Sequence, residues 1–441
     1  MWPLLFLWNT ELFSVFLSTL TAILIFVVTI NIIKYMTSDL HIPIRDTSKQ
    51  HNWRHAKLLS KPCYCSVCEA LMVTGEGAYC DCCGVCADRG CIKTADRKIK
   101  CKAITSCEKG PARHHWVKAN RKSGNNDGAI ILSLFRRLLN PAQVVDLAEH
   151  PPETALEWCC LLGEVRATVL VAGGDGTIGW VLNAVDKLQL KPSPGVAILP
   201  IGTGNDLSRV LGWGKEHHPN FDPGTFLEQV QKARLVELDR WNVQVHPYRH
   251  LGIRLPVRNM NMYNYLSVGV DAQVTLDFHR TRESPFYIIS SRLINKMLYL
   301  TYGTQQVMER GFRDLDQRLE VYLDGVKAEL PSIESIVVLN IPSWGAGVHL
   351  WNMGADNEDI APQSYNDNKL EVVALYSSFH IAQLQVGLSQ PYRVGQASCV
   401  QIKLKALTPV QVDGEPWEQH PAELNITFRN QATVLTCVEV G

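Results

Sequence analysis

The sequence has no net charge, because 43 lysines and arginines balance 43 aspartates and glutamates over 441 residues. A balanced chain has no strong overall field that would draw it to nucleic acid or to an anionic membrane. Any attachment to a membrane must therefore be local. The hydrophobic share of 46% can supply the cores of two or three domains without implying a polytopic membrane protein.

One apolar segment, residues 12–33, contains no charged residue. A helix of this length, at ~1.5 Å per residue, spans roughly the 30 Å hydrocarbon core of a bilayer. A cleaved signal peptide fits poorly, since Glu11 and no basic residue precedes the segment and no A-x-A-like site follows it. A buried domain helix is the other alternative. We expect a retained anchor in the endoplasmic reticulum or plasma membrane, and Lys34, Arg45 and Lys49 then predict that the rest of the chain is cytosolic.

Nine of the 14 cysteines fall between Cys63 and Cys101, in closely spaced pairs. In a reducing compartment such clustering argues for zinc rather than for disulfides. The series resembles the C1 zinc finger, in which two tetrahedral sites interleave along the chain. The resemblance implies a small C1-like finger at 51–101, with one site made by His51, Cys80, Cys83 and Cys101 and the other by Cys65, Cys68, Asp88 and Cys91.

The finger departs from the C1 pattern at Asp88, where a histidine is usual. A carboxylate can bind zinc at a similar distance, but the nearby Cys86 is an alternative fourth ligand. Some of the thiols could instead be small buried hydrophobic groups. The Gln-Gly pairing of lipid-binding C1 domains is absent, which favours a structural or protein-contact role over diacylglycerol capture. A nucleic-acid-binding role for the finger is disfavoured, because aromatic residues that could stack on bases do not alternate with its basic residues.

Two glycine-rich loops each follow a short apolar run. Residues 168–172 lead into Gly173-Gly174-Asp175-Gly176-Thr177, and residues 195–199 lead into the segment 200–209. An apolar run that ends in glycines and enters a helix brings backbone N–H groups close to a phosphate. Neither loop is a Walker A loop or a G-x-G-x-x-G fingerprint. One such loop could be an ordinary tight turn, but the repeated design predicts nucleotide binding.

These loops, GGDGT and GTGNDLSR, resemble those of the diacylglycerol kinase catalytic domain. Asn120-x-x-Ser123-Gly124 before them and Leu238-Asp239-Arg240-Trp241 after them extend the resemblance. Together with the apolar start, the finger, 290–296 and 412–417, they are most similar to the epsilon type of that family. NAD kinases and sphingosine kinases share the first loop, but the second loop and the finger separate this chain from both.

The resemblance implies an enzyme that uses ATP and Mg²⁺ to phosphorylate 1,2-diacylglycerol. Asp413 would be the general base and Glu415 would orient the base, although Asp413-Gly414-Glu415 could equally be a solvated hairpin turn. Asp175, Asp206 and Asp239 would form the carboxylate set tied to magnesium. The implied nucleotide and magnesium residues are Asn120, Ser123, Gly124, Gly173, Gly174, Gly176, Thr177, Gly202, Thr203, Gly204, Asn205, Asp206, Arg209 and Asp239.

The resemblance also implies the fold class, a multi-domain NAD kinase/diacylglycerol kinase-like arrangement. An α/β nucleotide-binding domain at 118–236 would precede a β-rich domain at 237–441, with the active site between them. The apolar run 288–302 is a candidate for lipid contact, or simply for core. Asn425-Ile426-Thr427 is a glycosylation sequon that we expect to stay unmodified in a cytosolic region.

The chain departs from the epsilon type between the finger and the glycine loops. The second C1 finger is missing, and residues 114–117 look like the remnant of its opening, joined directly to Lys118. We therefore expect the nucleotide-binding sheet to lack its first strand, which usually lies near the middle. Such a loss would expose backbone groups and impair catalysis. The alternative function is thus a catalytically impaired, membrane-anchored zinc-finger protein.

Overall fold

The computed structural model describes most of the chain from residue 51 onward. Its described residues are 28, 51, 53–56, 63–68, 70–72, 77–80, 85–99, 101, 114–124, 127–139, 143–154, 156, 167–217, 221–248, 256–283, 314–353 and 361–437. The expected anchor at 12–33, apart from residue 28, and the run 288–302 lie outside these residues. Within the described part, no helix is both long and apolar enough to cross a membrane.

The cysteine-rich module is built from short strands and one helix. An antiparallel sheet has the order β1-β4-β5, and β2 pairs with β3. Cys65, Cys80, Ala87 and Ile99 form its small core. The elements are β1 (Trp53–Ala56), β2 (Cys63–Tyr64), β3 (Leu71–Met72), β4 (Gly77–Cys80), β5 (Cys86–Asp88) and α1 (Ile92–Lys98).

A parallel sheet with the strand order β7-β6-β8-β9 follows in the chain. Every residue of β8 and β9 is buried, as expected for parallel strands that are covered on both faces. The elements are β6 (His114–Ala119), α2 (Asp127–Leu138), β7 (Val144–Asp146), β8 (Ala167–Gly173), α3 (Asp175–Leu188), β9 (Gly195–Pro200), α4 (Asp206–Val210) and α5 (Pro223–Lys232).

The expectation that this sheet lacks its first strand is wrong. β6 lies between β7 and β8, and all six of its residues pair in parallel register with β8. Trp116 and Val117 are buried in the domain core, and Lys118 is buried as well, with its Nζ donating to the carbonyl of Thr154. Residues 114–117 are therefore part of the α/β domain, because neighbouring strands on both sides supply hydrogen-bond partners for an extended segment.

The second half of the chain is rich in β-strands, as predicted. A six-stranded antiparallel sheet has the order β17-β16-β15-β12-β19-β20. The remaining strands extend the parallel sheet. The elements are β10 (Arg234–Pro247), β11 (Arg258–Met262), β12 (Tyr265–Gly269), α6 (Val270–Glu283), α7 (Leu315–Arg318), β13 (Leu319–Leu323), β14 (Val326–Lys327), β15 (Ser335–Leu339), α8 (Leu350–Met353), β16 (Leu370–Leu375), α9 (Ser378–Gln385), β17 (Tyr392–Ala397), β18 (Cys399–Leu404), β19 (Thr408–Val412), β20 (Glu415–Gln419) and β21 (Ala422–Thr436).

The long strand β21 joins the two halves. It pairs with β10 along most of its length and with β18 over residues 422–427, and Val434 near its end pairs in parallel with Val196 of β9. The apolar residues between the two sheets of the β-rich half form a second core. The β-rich half is thereby continuous with the parallel sheet, through a pairing near the start of β9.

Candidate active site between the two halves

The two glycine loops lie side by side. They follow β8 and β9, whose last residues, Gly173 and Pro200, are partners in the sheet register. A Cβ atom on Gly202 would lie 2.4 Å from the Cα of Gly174, and one on Gly173 would lie 2.5 Å from the Cβ of Thr177. Gly202 must be glycine because it meets the backbone of Gly174, and Gly173 because it meets the Thr177 side chain. This close packing leaves N–H groups near the start of α3 for a phosphate.

The third loop, residues 120–124, follows β6 and lies beside the first glycine loop. The Asn120 N–H donates to the carbonyl of Ala172, and the Asn120 Oδ1 accepts from the N–H of Lys122. A Cβ atom on Gly128 would lie 2.0 Å from the carbonyl oxygen of Asn120, so the start of α2 packs directly on this loop. The structure therefore gathers all three predicted loops at one edge of the sheet.

Asp175 and Asn205 hold the second glycine loop in place. The Asp175 carboxylate accepts from the N–H groups of Asp206 and Leu207 at 3.1 and 3.0 Å, and so caps the start of α4. Asn205, at a positive φ of 53°, accepts from the Gly202 N–H and donates to the Gly202 carbonyl. Arg209 donates through Nε to the carbonyl of Gly204.

Asp206 is buried and accepts hydrogen bonds from the β-rich half. Its donors are the Ser343 hydroxyl at 2.5 Å, the Ala346 N–H at 3.1 Å and the Gly347 N–H at 3.0 Å. Burial and the charge of Asp175 raise the pKa of Asp206 to about 6, although these hydrogen bonds oppose the rise. The carboxylate of Asp206 therefore ties the second glycine loop to the loop 343–347.

Both interpretations of the Asp413-Gly414-Glu415 motif hold, because Asp413 lies in a hairpin turn and also lines the cavity between the two halves. Asp413 and Gly414 have φ values of 50° and 85° and connect β19 to β20. The Asp413 carboxylate accepts from the N–H groups of Tyr263, Asn264 and Tyr265 at 2.8, 2.8 and 3.1 Å. Burial, together with the charge of Asp175, raises its pKa to about 7 despite these three donors.

Asp175, Asp413 and Glu415 line one cavity of about 430 Å³ between the two halves. The charge of Asp175 raises the pKa values of both Asp206 and Asp413. Carboxylates that crowd together in this way are suited to a divalent cation, because its charge offsets their repulsion. Asp175 is thus well placed to hold the Mg²⁺ that accompanies a nucleotide.

Asp239 is placed differently from Asp175 and Asp206. Its carboxylate accepts from the Asn368 N–H at 2.7 Å and from the Gln431 side chain at 2.8 Å. Burial raises its pKa. These contacts fasten the segment after residue 361 to β10 and β21, and the magnesium role of Asp239 stays a prediction.

Sequence reasoning missed the donors that hold Asp206 and Asp413. Residues 263–264 form the turn between β11 and β12, Tyr265 begins β12, and residues 343–347 form a loop with positive φ at Gly345, Ala346 and Gly347. The run Ser343-Trp344-Gly345-Ala346-Gly347 could have been predicted to form a loop, since small residues and glycines favour positive φ. Its contact with Asp206 could not be predicted, because the two segments are far apart in the sequence.

The cysteine-rich module brings together three members of each expected zinc site. His51, Cys80 and Cys101 form one group, and Cys65, Cys68 and Cys91 form the other, with ligand atoms within 4.8 Å of one another. Burial and the neighbouring Cys65 and Cys68 raise the pKa of the Cys91 thiol to about 12, which a bound cation would reverse.

These two groups fit tetrahedral zinc, each with one further ligand. The His51 Nε2 lies 2.8 Å from the Ile99 carbonyl, a contact that orients the ring in the group with Cys80 and Cys101. Cys83 lies outside the described residues. The Asp88 carboxylate accepts from the Gly90 N–H, and it is not among the three grouped ligands of the second site. The fourth ligands stay a prediction.

Two family models match the chain. The diacylglycerol kinase catalytic domain matches residues 114–241, and the diacylglycerol kinase accessory domain matches residues 261–416. Diacylglycerol kinase 1 of Arabidopsis thaliana is 42% identical over 330 residues, which cover 74% of this chain and 45% of that protein. Human diacylglycerol kinase theta is 40% identical over 321 residues, covering 70% of this chain and 33% of that protein.

The chain thus spans less than half the length of these curated relatives. Among solved structures, a putative diacylglycerol kinase from Bacillus anthracis str. Sterne aligns over 74% of this chain and 99% of its own, at 17% identity and a TM-score of 0.46.

Proposed function

Because the chain carries the catalytic and accessory domains of the diacylglycerol kinase family, we propose that it phosphorylates 1,2-diacylglycerol with ATP to give phosphatidic acid. The observation that carries this proposal is the approach of Asp413, on the β19–β20 turn, to Asp175 at the start of α3. A base from one half of the site thereby meets the nucleotide loops of the other half.

Phosphoryl transfer to an alcohol needs a base, phosphate contacts and neutralised charge. The Asp413 carboxylate takes the proton of the acceptor hydroxyl, and the hydroxyl oxygen bonds to the γ-phosphorus as the bond to the β-phosphate oxygen breaks. N–H groups near the start of α3 would bind the phosphates, and Asp175 would hold a Mg²⁺ ion that would supply positive charge to them. A pKa of about 7 suits Asp413 as a base, since general bases are most effective when their pKa lies near the working pH.

The finer features of the proposal are an enzyme of the epsilon type in lipid signalling and phosphoinositide turnover. It would be anchored by residues 12–33 in the endoplasmic reticulum or plasma membrane, with a cytosolic catalytic region and a zinc-bearing finger. A retained anchor suits a substrate that stays in the bilayer. Treatment of the cell-expressed protein with endoglycosidase tests the topology, since a mobility shift that Asn425→Gln abolishes would overturn the cytosolic location.

The impaired-protein alternative loses one of the two arguments on which it depended. It assumed that the second C1 finger and the first catalytic strand are both missing, whereas β6 occupies the position of that strand with six paired residues. We therefore expect the full chain to be active.

The test of the proposal is transfer of radiolabelled phosphate from ATP to diacylglycerol in mixed micelles. The full chain should label phosphatidic acid, and Asp175→Ala should abolish the label while the protein stays folded by circular dichroism. Equal labelling by both proteins would contradict the proposed site. Absence of labelling by a folded full chain would support the impaired alternative.

A further inference from the structure

The cavity beside Asp413 extends well beyond the carboxylates. It runs between one face of α3 and the edge strand β11, and the residues away from the carboxylates include Trp180, Asn183, Asn242, Asn259, Met260 and Arg429. Gly202 and the rest of the second glycine loop are not among the residues that line it. The cavity therefore lies on the side of Asp175 that faces away from that loop.

Three asparagine side chains in this cavity offer unused hydrogen-bond donors. The Asn183 Oδ1 accepts from Arg240, Asn261 and Tyr263, so its orientation is fixed while its Nδ2 has no partner among the described residues. The side chains of Asn242 and Asn259 make no hydrogen bond within the described part of the chain. Amide groups of this kind donate to a ligand that carries acceptors.

The two arginines of the cavity already make contacts with other side chains. Arg429 donates to Asp186 at 2.9 Å and to Asn261 at 2.7 Å, and Arg258 lies over the Trp417 ring at 4.6 Å. The three asparagine amides are neutral donors, which suit the carbonyl oxygens of an uncharged ligand. Trp180, with 44% of its surface exposed, adds an apolar ring beside these amides.

We propose that this cavity binds the diester part of the acceptor, with Asn259 and Asn242 donating to its ester carbonyls and Trp180 contacting its acyl chains. The free hydroxyl of the glycerol then reaches Asp413 at the carboxylate end of the cavity. This inference rests on the proposed kinase function and names the residues that select a diacylglycerol over other alcohols.

The first test compares the full chain with Asn259→Ala and Asn242→Ala in the mixed-micelle assay. Each variant loses one hydrogen bond to the acceptor, so the KM for diacylglycerol should rise about tenfold. The KM for ATP should not change. Asn352→Ala is the matched control, because Asn352 is exposed on α8 and does not line the cavity. Asn259 is itself exposed on an edge strand, so its variant should fold.

A second test changes the acceptor rather than the protein. Replacing one ester of the diacylglycerol with an ether removes one carbonyl, and the full chain should use both mono-ether analogues less well than the diester. In Asn259→Ala and in Asn242→Ala the preference for the diester over one of the two ethers should disappear. Trp180→Ala should weaken the use of long-chain acceptors more than that of short-chain ones.

The outcomes separate this inference from the proposed function. If the full chain phosphorylates no diacylglycerol, the proposed function fails. If the full chain is active but both asparagine variants keep the KM for diacylglycerol and the preference for the diester, the function stands and the inference is wrong. An equal rise in the KM for ATP and for diacylglycerol would also overturn it, since it would indicate general damage to the site.

Discussion

Two carboxylates of the site, Asp206 and Asp413, are held in the same way but by different regions. Each accepts three hydrogen bonds, from Ser343, Ala346 and Gly347 in one case and from residues 263–265 in the other. The donors to Asp206 come from the opposite half of the site, whereas those to Asp413 come from its own half. Asp206 therefore helps to hold the two halves together, while Asp413 is oriented independently of the nucleotide loops.

The largest expected effect is that of Asp413→Asn on catalysis. An amide cannot take the hydroxyl proton, so kcat should fall by about 10²- to 10⁴-fold while the KM for ATP stays nearly constant. Steady-state kinetics measure both quantities. Asp324→Asn is the matched control, because Asp324-Gly325 is also an aspartate-glycine turn with positive φ values of 49° and 85°, remote from the cleft. A similar loss in both variants would contradict the role of Asp413.

The next effect is the dependence of activity on pH. The base must be ionised, and its pKa is raised to about 7, so kcat should rise about tenfold per unit as pH increases toward 7 and should level off above it. A profile of kcat from pH 5 to 9 checks this expectation. A flat profile over this range would show that deprotonation of Asp413 does not limit the rate.

A smaller effect concerns the contact that only Asp206 makes across the site. Ser343→Ala removes one donor to a buried carboxylate and should lower the free energy of unfolding by about 1.5 to 3 kcal/mol. Denaturant unfolding measures this loss, with the exposed Ser398→Ala as control. If Ser343→Ala and the control have equal stability, the hydroxyl contributes nothing to holding the loops together.

The smallest effect is expected in β6, away from both carboxylates. Lys118 is fully buried, and its ammonium group donates to the carbonyl of Thr154 and attracts Glu153. Lys118→Leu leaves that carbonyl without its donor, so it should lower the free energy of unfolding by about 1 to 2 kcal/mol and leave kcat unchanged. Lys187→Leu is the control, because the Lys187 side chain is 75% exposed. Equal stability of Lys118→Leu and the control would show that the contact with Thr154 contributes nothing.

Much of the site could be predicted because short sequence patterns indicate it. Gly202, for example, packs against the backbone of Gly174 and leaves no room for a side chain, so the close contact requires a glycine that is visible in the sequence. The spacing of the cysteines likewise anticipated the two groups around His51 and Cys65. The error over the first strand had a physical origin, since Trp116 and Val117 alone are too short to indicate a strand.

By itself, the sequence determined the glycine loops and the aspartate-glycine turn, because each depends on residues that are close together in the chain. Only the tertiary structure decided that 114–119 completes the sheet, that Asp239 and Asp206 have different hydrogen-bond partners, and that the segments 263–265 and 343–347 hold Asp413 and Asp206. These outcomes depend on hydrogen bonds between segments far apart in the chain, which no local pattern records.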